Sequence, residues 1–308
     1  MGTPPYMWVG FSIAVVAAIA LDLGIFHRKA RRITLKEALA ESAGWIGLAL
    51  VFSIWVYISM GHRAGLEFLT SYVVEKSLSI DNIFLFLLIF EGFAVPSQSQ
   101  HKVLYCGVVG ALVMRGIFVF GGVALLDRFH FVLFVFGAIL IVSAVVMLWP
   151  GGRTIRPERN WLVRLVQRLM PVTPDYEGEH FFLRQAGKYY GTPLLLALVA
   201  IEATDILFAV DSVPAVLAIT RDTFLAYSSN VFAILGLRAL YFALADLLPR
   251  FRFMRPGLAA ILLFTGAKMF ASDRLPISTG VSLGVILGIV TVMAVASALW
   301  PVKKRAAL

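Results

Sequence analysis

The chain is 308 residues long, 60% of them hydrophobic and 15% charged, with a mean hydropathy of +0.86. A soluble protein of this length needs far more polar surface, so composition excludes that class and places the chain in a bilayer. The lone cysteine, Cys106, excludes a disulfide framework and a multi-thiolate metal site. The net charge of +9 raises nucleic acid as a partner, but the placement of the charges argues against it.

Taken in order, nine apolar segments reach spanning length, at about 20 residues per span. They run roughly over 6–26, 43–60, 66–90, 103–126, 131–149, 193–219, 224–247, 257–272 and 277–300. The first continues into Asp22 and a basic cluster instead of a small-residue cleavage site, and reads as a retained span. Loops after the odd-numbered spans carry most of the lysine and arginine: Arg28, Lys29, Arg31 and Arg32 after the first, Arg153, Arg156 and Arg159 after the fifth, Lys303, Lys304 and Arg305 after the ninth. The alternate loops hold only Arg63, Arg128, Arg221 and Arg274. The positive-inside rule then sets the N-terminus outside and the C-terminus in the cytoplasm of a bacterial inner membrane. The same pattern disposes of nucleic acid, because the excess charge is an orientation signal spread over short loops.

One long loop, 150–192, falls on the cytoplasmic side. Its segment Arg159–Met170 spaces apolar residues at helical intervals with arginines between them, which predicts a helix lying on the inner membrane surface. A small soluble cap is the other reading.

Spans three to five and six to eight read as two copies. Arg115-Gly116-Ile117-Phe118 in span four answers to Arg238-Ala239-Leu240-Tyr241 in span seven, and Phe136-Gly137-Ala138 to Thr265-Gly266-Ala267. The motif spans share one separation, Glu75 to Asp81 and Asp205 to Asp211, each followed by a polar residue, Asn82 or Ser212. Three spans per copy insert the second copy in the opposite sense, the inverted-repeat plan of secondary transporters. The expected architecture is one all-α transmembrane domain over 1–308, with repeats at about 66–149 and 193–272.

The chemistry lies in the two motifs. Charges at bilayer depth cost about 2.5–3.5 kcal/mol each on insertion scales and are kept mainly where ions move. On an ideal helix Glu75, Ser79 and Asn82 share a face and Asp81 stands about 120° away; Asp205, Ala209 and Ser212 repeat this with Asp211 about 120° off and Glu202 near the first face. Either each aspartate faces the other repeat, or the helices unwind locally. Pro214 favours a break in span six, with Ser77, Ser79, Thr204 and Ser212 free to satisfy released backbone groups. The donors are all oxygen and no histidine sits mid-span, which suits Mn²⁺, Ca²⁺ or Mg²⁺ over Zn²⁺. The bland alternative pairs these carboxylates with Lys76, Arg115, Arg238 and Lys268 to pin helices together. Asp22 is an entry ligand or a boundary pair; Asn230 lines the path or bonds between helices. Trp8, Trp45, Trp149 and Trp300 read as interfacial anchors.

Glu75-Lys76-Ser77-Leu78-Ser79-Ile80-Asp81-Asn82-Ile83-Phe84 and Thr204-Asp205-Ile206-Leu207-Phe208-Ala209-Val210-Asp211-Ser212-Val213-Pro214-Ala215 resemble the two signature motifs of the TerC family of integral membrane proteins. Ser229–Arg238 and Asp22–His27 are similar to its other recurring segments. The family takes its name from tellurium resistance, is grouped with LysE-type exporters, and has members associated with manganese export. The resemblance implies Mn²⁺ efflux with Asp81, Asn82, Asp205 and Asp211 among the ion-handling residues. The residues give the tellurium name no support, since an oxyanion needs a cationic pocket. The combined expectation is a proton-coupled exporter of a hard divalent cation with no prosthetic group. Asp81, Asp205 and Asp211 are its ligands, and Asn82, Ser212 and Glu75 complete the shell. Lys76, Arg115, Arg238 and Lys268 are the balancing cations. Rivals are a LysE-like exporter of an organic solute and a non-transporting membrane scaffold. An enzyme has no supporting motif.

Overall fold

A computed structural model describes residues 3–26, 34–129, 131–149, 161–185, 187–244, 253–271 and 277–299. Among them a helix stands at each of the nine apolar segments: α1 (Pro5–Phe26), α2 (Leu35–Met60), α3 (His62–Gly92), α4 (Ser97–Arg128), α5 (Val132–Leu148), α7 (Pro193–Leu217), α8 with α9 (Thr223–Leu235 and Leu237–Leu244), α10 (Met254–Ala271) and α11 (Thr279–Leu299). Five are long and apolar enough to cross a membrane on those grounds alone: Leu35–Met60, Ser97–Arg128, Pro193–Leu217, Thr223–Ala243 and Thr279–Ser297. The protein is an all-α membrane protein.

Local chemistry sets the helix ends. Thr34 and Glu37 form a reciprocal capping box at the start of α2. Thr192 caps α7, with Pro193 in its first turn, and the Asp222 carboxylate accepts the Phe224 and Leu225 amides of α8. Gly61, at φ +94, is the whole connection between α2 and α3, a left-handed conformation that L side chains resist.

The break expected at Pro214 is absent. Helix α7 runs unbroken through that residue to Leu217. Pro214 lies in the last turn, where its missing donor removes one bond and the Ala218 amide still reaches its carbonyl at 2.9 Å. Helix α3 is likewise continuous across its motif. The interruption falls in the seventh apolar segment, where α8 stops at Leu235, Gly236 turns the chain and α9 begins.

The packing is reciprocal. Helix α3 lies on α8 much as α4 lies on α7, while α5 packs on α10 and α3 on α7. The main apolar core fills this bundle. A second cluster joins α1, α2, α3 and α8 through rings of Phe11, Phe52, Phe68, Phe224 and Phe232. Trp8 belongs to that cluster, against Phe224, Phe120 and Tyr227, and Trp45 packs beside Gly236; Trp300 lies outside the described residues. Trp149 is 69% exposed, as an anchor should be.

Between α5 and α7 the chain forms a small cap. Helix α6 (Trp161–Leu169) stands where a surface helix is expected. The hairpin of β1 (Phe182–Gln185) and β2 (Lys188–Gly191), antiparallel with Phe182 opposite Gly191, was not foreseen from sequence. Tyr176 fastens the cap to the bundle by donating to the Phe93 carbonyl at 2.6 Å.

Candidate functional site

The centre of the bundle is organised by one side chain. Arg115 of α4 is 1% exposed. Its Nε and Nη2 donate to the two carboxylate oxygens of Asp205 on α7, at 3.4 and 3.2 Å. Its Nη1 faces Glu75 on α3, Ser212 Oγ at 2.8 Å on α7 and Asn230 Oδ1 at 2.9 Å on α8. A single guanidinium thereby ties four helices, which its planar fork allows and a lysine ammonium would not.

The clasp leaves oxygens unspent. Glu75 Oε2 and Asn82 Oδ1 are buried with no hydrogen-bond partner among the described residues. Asn82 and Arg115 both line each of two small hollows. One, with about 10 Å³ of space for a water-sized occupant, also touches Ser79 and Asp205; the other, equally small, touches Asp211 and Ser212. Asp211 accepts from Ser143 Oγ on α5 at 2.5 Å, so it faces the other three-helix group, the first of the two arrangements the helical wheel left open.

The hydroxyls of Ser77, Ser79 and Thr204 behave differently from expectation. Each donates to the carbonyl four residues back on its own unbroken helix, at 2.6, 2.7 and 2.7 Å. Ser212 alone of that group joins the charged cluster.

Of the four cations expected to balance the acids, Arg115 is bonded to Glu75 and Asp205. Lys76 Nζ donates to the Ala233 carbonyl at 3.3 Å, at the end of α8 beside the Gly236 interruption. A cation there complements the negative end of the helix. Arg238 pairs with Glu41 of α2 at 2.7 Å, and Lys268 reaches Ser282 of α11 at 3.0 Å. Glu41 lies just before the apolar segment 43–60, and nothing in the sequence places it beside Arg238. Glu67, also unremarked, is buried between Arg63 and Thr220; its pairing with Arg63 one helical turn away was the available signal.

Glu202 sits outside the clasp, on the seam between α7 and α4. Its carboxylate fills the space a side chain at Gly110 would take. The side chains of Asp81 and Asp22 lie outside the described residues, although α3 and α1 carry them. Among the described residues no three or more His, Cys, Asp or Glu side chains are grouped to hold a metal ion.

The sequence profile described as Integral membrane protein TerC family matches residues 60–306. The chain is 47% identical over 293 residues to the uncharacterized membrane protein STKORF319 of Myxococcus xanthus, covering 95% of this chain and 92% of the relative. It is 42% identical over 298 residues to the putative membrane-bound redox modulator Alx of Escherichia coli K12, covering 94% and 92%. To an uncharacterized membrane protein of Rickettsia bellii it is 38% identical over 280 residues, covering 91% and 93%. No solved structure matches the chain.

Proposed function

This chain belongs to the integral membrane protein TerC family, and we propose that it exports a hard divalent cation, Mn²⁺ by the family resemblance, from the cytoplasm through a site between two inverted three-helix halves. One observation carries the reading: two buried carboxylates, Glu75 and Asp205, hold a single guanidinium, and a third, Asp211, lines a hollow with that guanidinium and the amide of Asn82, whose oxygen is spare. Acids outnumber bases there, so the pocket attracts a cation. The reciprocal packing of α3 on α8 and α4 on α7 supports the inverted plan, and the loop charges support an inner-membrane placement with the N-terminus outside.

In this arrangement Arg115 stands in for the cargo. The ion reaches Asn82, Asp211, Ser212 and Asp81, and competes with the guanidinium for Asp205 and Glu75. Asn230 keeps a hold on Arg115 when the carboxylates leave it. Release is completed when a carboxylate takes up a proton, which couples export to the proton gradient. The small hollows suit an ion better than an organic solute. The name of the Escherichia coli relative raises redox chemistry, but the single cysteine here provides no dithiol within the chain.

The test is manganese content in cells under manganese load. Asp211→Asn and Asp81→Asn should retain several-fold more manganese than wild type. Wild-type levels in both, with the variants present in the membrane, would sink the proposal. Everted vesicles offered Mn²⁺, Ca²⁺, Mg²⁺ and Zn²⁺ with a pH readout then identify the ion and its coupling.

A further inference from the structure

Helix α6 has two apolar stripes, and the bundle uses only one. Val163 is 1% exposed and belongs to the main core, with Val166 packed against it and Met170 beside Gly191. These residues stand about 140–200° around the helix from Trp161. On the opposite side Trp161, Leu165 and Leu169 are 69%, 42% and 76% exposed. Arg164 and Arg168 are exposed too, and by helical geometry they flank Trp161 within about 60°. The outer face is therefore a tryptophan and two leucines interleaved with two guanidinium groups.

We infer that this face is a docking surface for anionic phospholipid, seated in the headgroup layer that bounds this end of the bundle. Three observations favour lipid. The inner stripe packs on α7, whose first turn begins just past the hairpin, so α6 lies level with the end of a spanning helix. Leu148 and Trp149 at the close of α5, the helix that precedes the cap in the chain, are 50% and 69% exposed and apolar, as a surface facing lipid is. The charge is complementary: arginines extend to phosphates while tryptophan and leucine enter the boundary between headgroups and chains. A helix meant to face water would not keep a second apolar stripe after burying the first. The surface holds the cap against the bilayer and steadies the end of α7, the helix that carries Asp205 and Asp211. This inference does not depend on metal transport and stands or falls separately from it.

The test uses the full chain in nanodiscs, with Cys106→Ser and a spin label on Leu165→Cys, in phosphatidylcholine alone or mixed with phosphatidylglycerol. The expected result is a label reached by oxygen from the lipid phase and shielded from a water-soluble nickel chelate, more so with phosphatidylglycerol. Arg164→Gln and Arg168→Gln should each weaken the phosphatidylglycerol dependence about fivefold. A second label on Leu169→Cys should report the same. Labels open to nickel in every bilayer would overturn the inference, as would shielding that ignores phosphatidylglycerol. Labels water-exposed in nanodiscs and covered only when a soluble protein binds would assign the face to a protein partner instead, and also overturn it.

Discussion

Gly137 and Gly266 lie against each other's backbone across the crossing of α5 and α10. A Cβ at Gly137 would stand 3.2 Å from the Gly266 carbonyl oxygen, and one at Gly266 would stand 2.9 Å from the Gly137 carbonyl oxygen. The two positions correspond in the repeat read from sequence. Small residues let helices approach this closely in lipid.

Substitution at this crossing should therefore be costly from either side. Gly266→Ala should destabilise by about 1–3 kcal/mol because backbone, not a flexible side-chain tip, must yield. Gly137→Ala should cost a similar amount, and the double variant less than the sum, since one separation relieves both clashes. Thermal unfolding in detergent measures all three.

The Arg115 clasp predicts strong coupling. Arg115→Met leaves Glu75 and Asp205 buried without their partner and should destabilise by about 3–5 kcal/mol. Arg115→Lys keeps the charge but cannot span Asp205 and Asn230 together, so it should recover only part of that loss. Adding Asp205→Asn to Arg115→Met should restore stability relative to Arg115→Met alone. A double-mutant cycle that shows simple additivity would contradict the geometry.

At the helix interruption, Lys76→Ala removes the donor from the Ala233 carbonyl and should cost about 0.5–2 kcal/mol. Gly236→Ala would place a Cβ 2.8 Å from Lys76 Nζ and 3.1 Å from Trp45 Cβ. Its penalty should shrink when Lys76→Ala is already present. The same unfolding cycle reads this coupling.

The cap supplies a pH dependence. Burial pushes the Tyr176 phenol above its ordinary value of 10.0. A raised folded pKa means its contribution is fully present below the unfolded value of about 10 and is lost as pH climbs through the folded value. Proteolysis within the cap should accelerate over that window, and Tyr176→Phe should flatten the rise.

Much of this fold is legible in the sequence because lipid imposes a simple rule: about 20 apolar residues make a span. Each such segment has its helix. The interruption falls elsewhere because proline is the louder signal, yet Pro214 lies where a missing donor matters little, while Gly236 closes α8 at an ordinary negative φ and leaves room for Lys76 and Trp45. The partners of Lys76 and Arg238 were illegible for a different reason. Both depend on which helix sits beside them, and a helical wheel carries no such information. The hairpin is short, and its turn signal, Gly187 at φ +78, is a lone glycine in a polar stretch. The acids and Arg115 could be picked out because charge inside an apolar run is rare, but their division into one clasped group and Asp211 on Ser143 required the packing.

The clasp also bears on leakage. With Asp205 held through both carboxylate oxygens and Glu75 through one by a tethered guanidinium, a molecule between turnovers has fewer bare oxygens for a thread of water or stray protons to satisfy. An idle copy can then rest in an energised membrane without draining the gradient it is proposed to use.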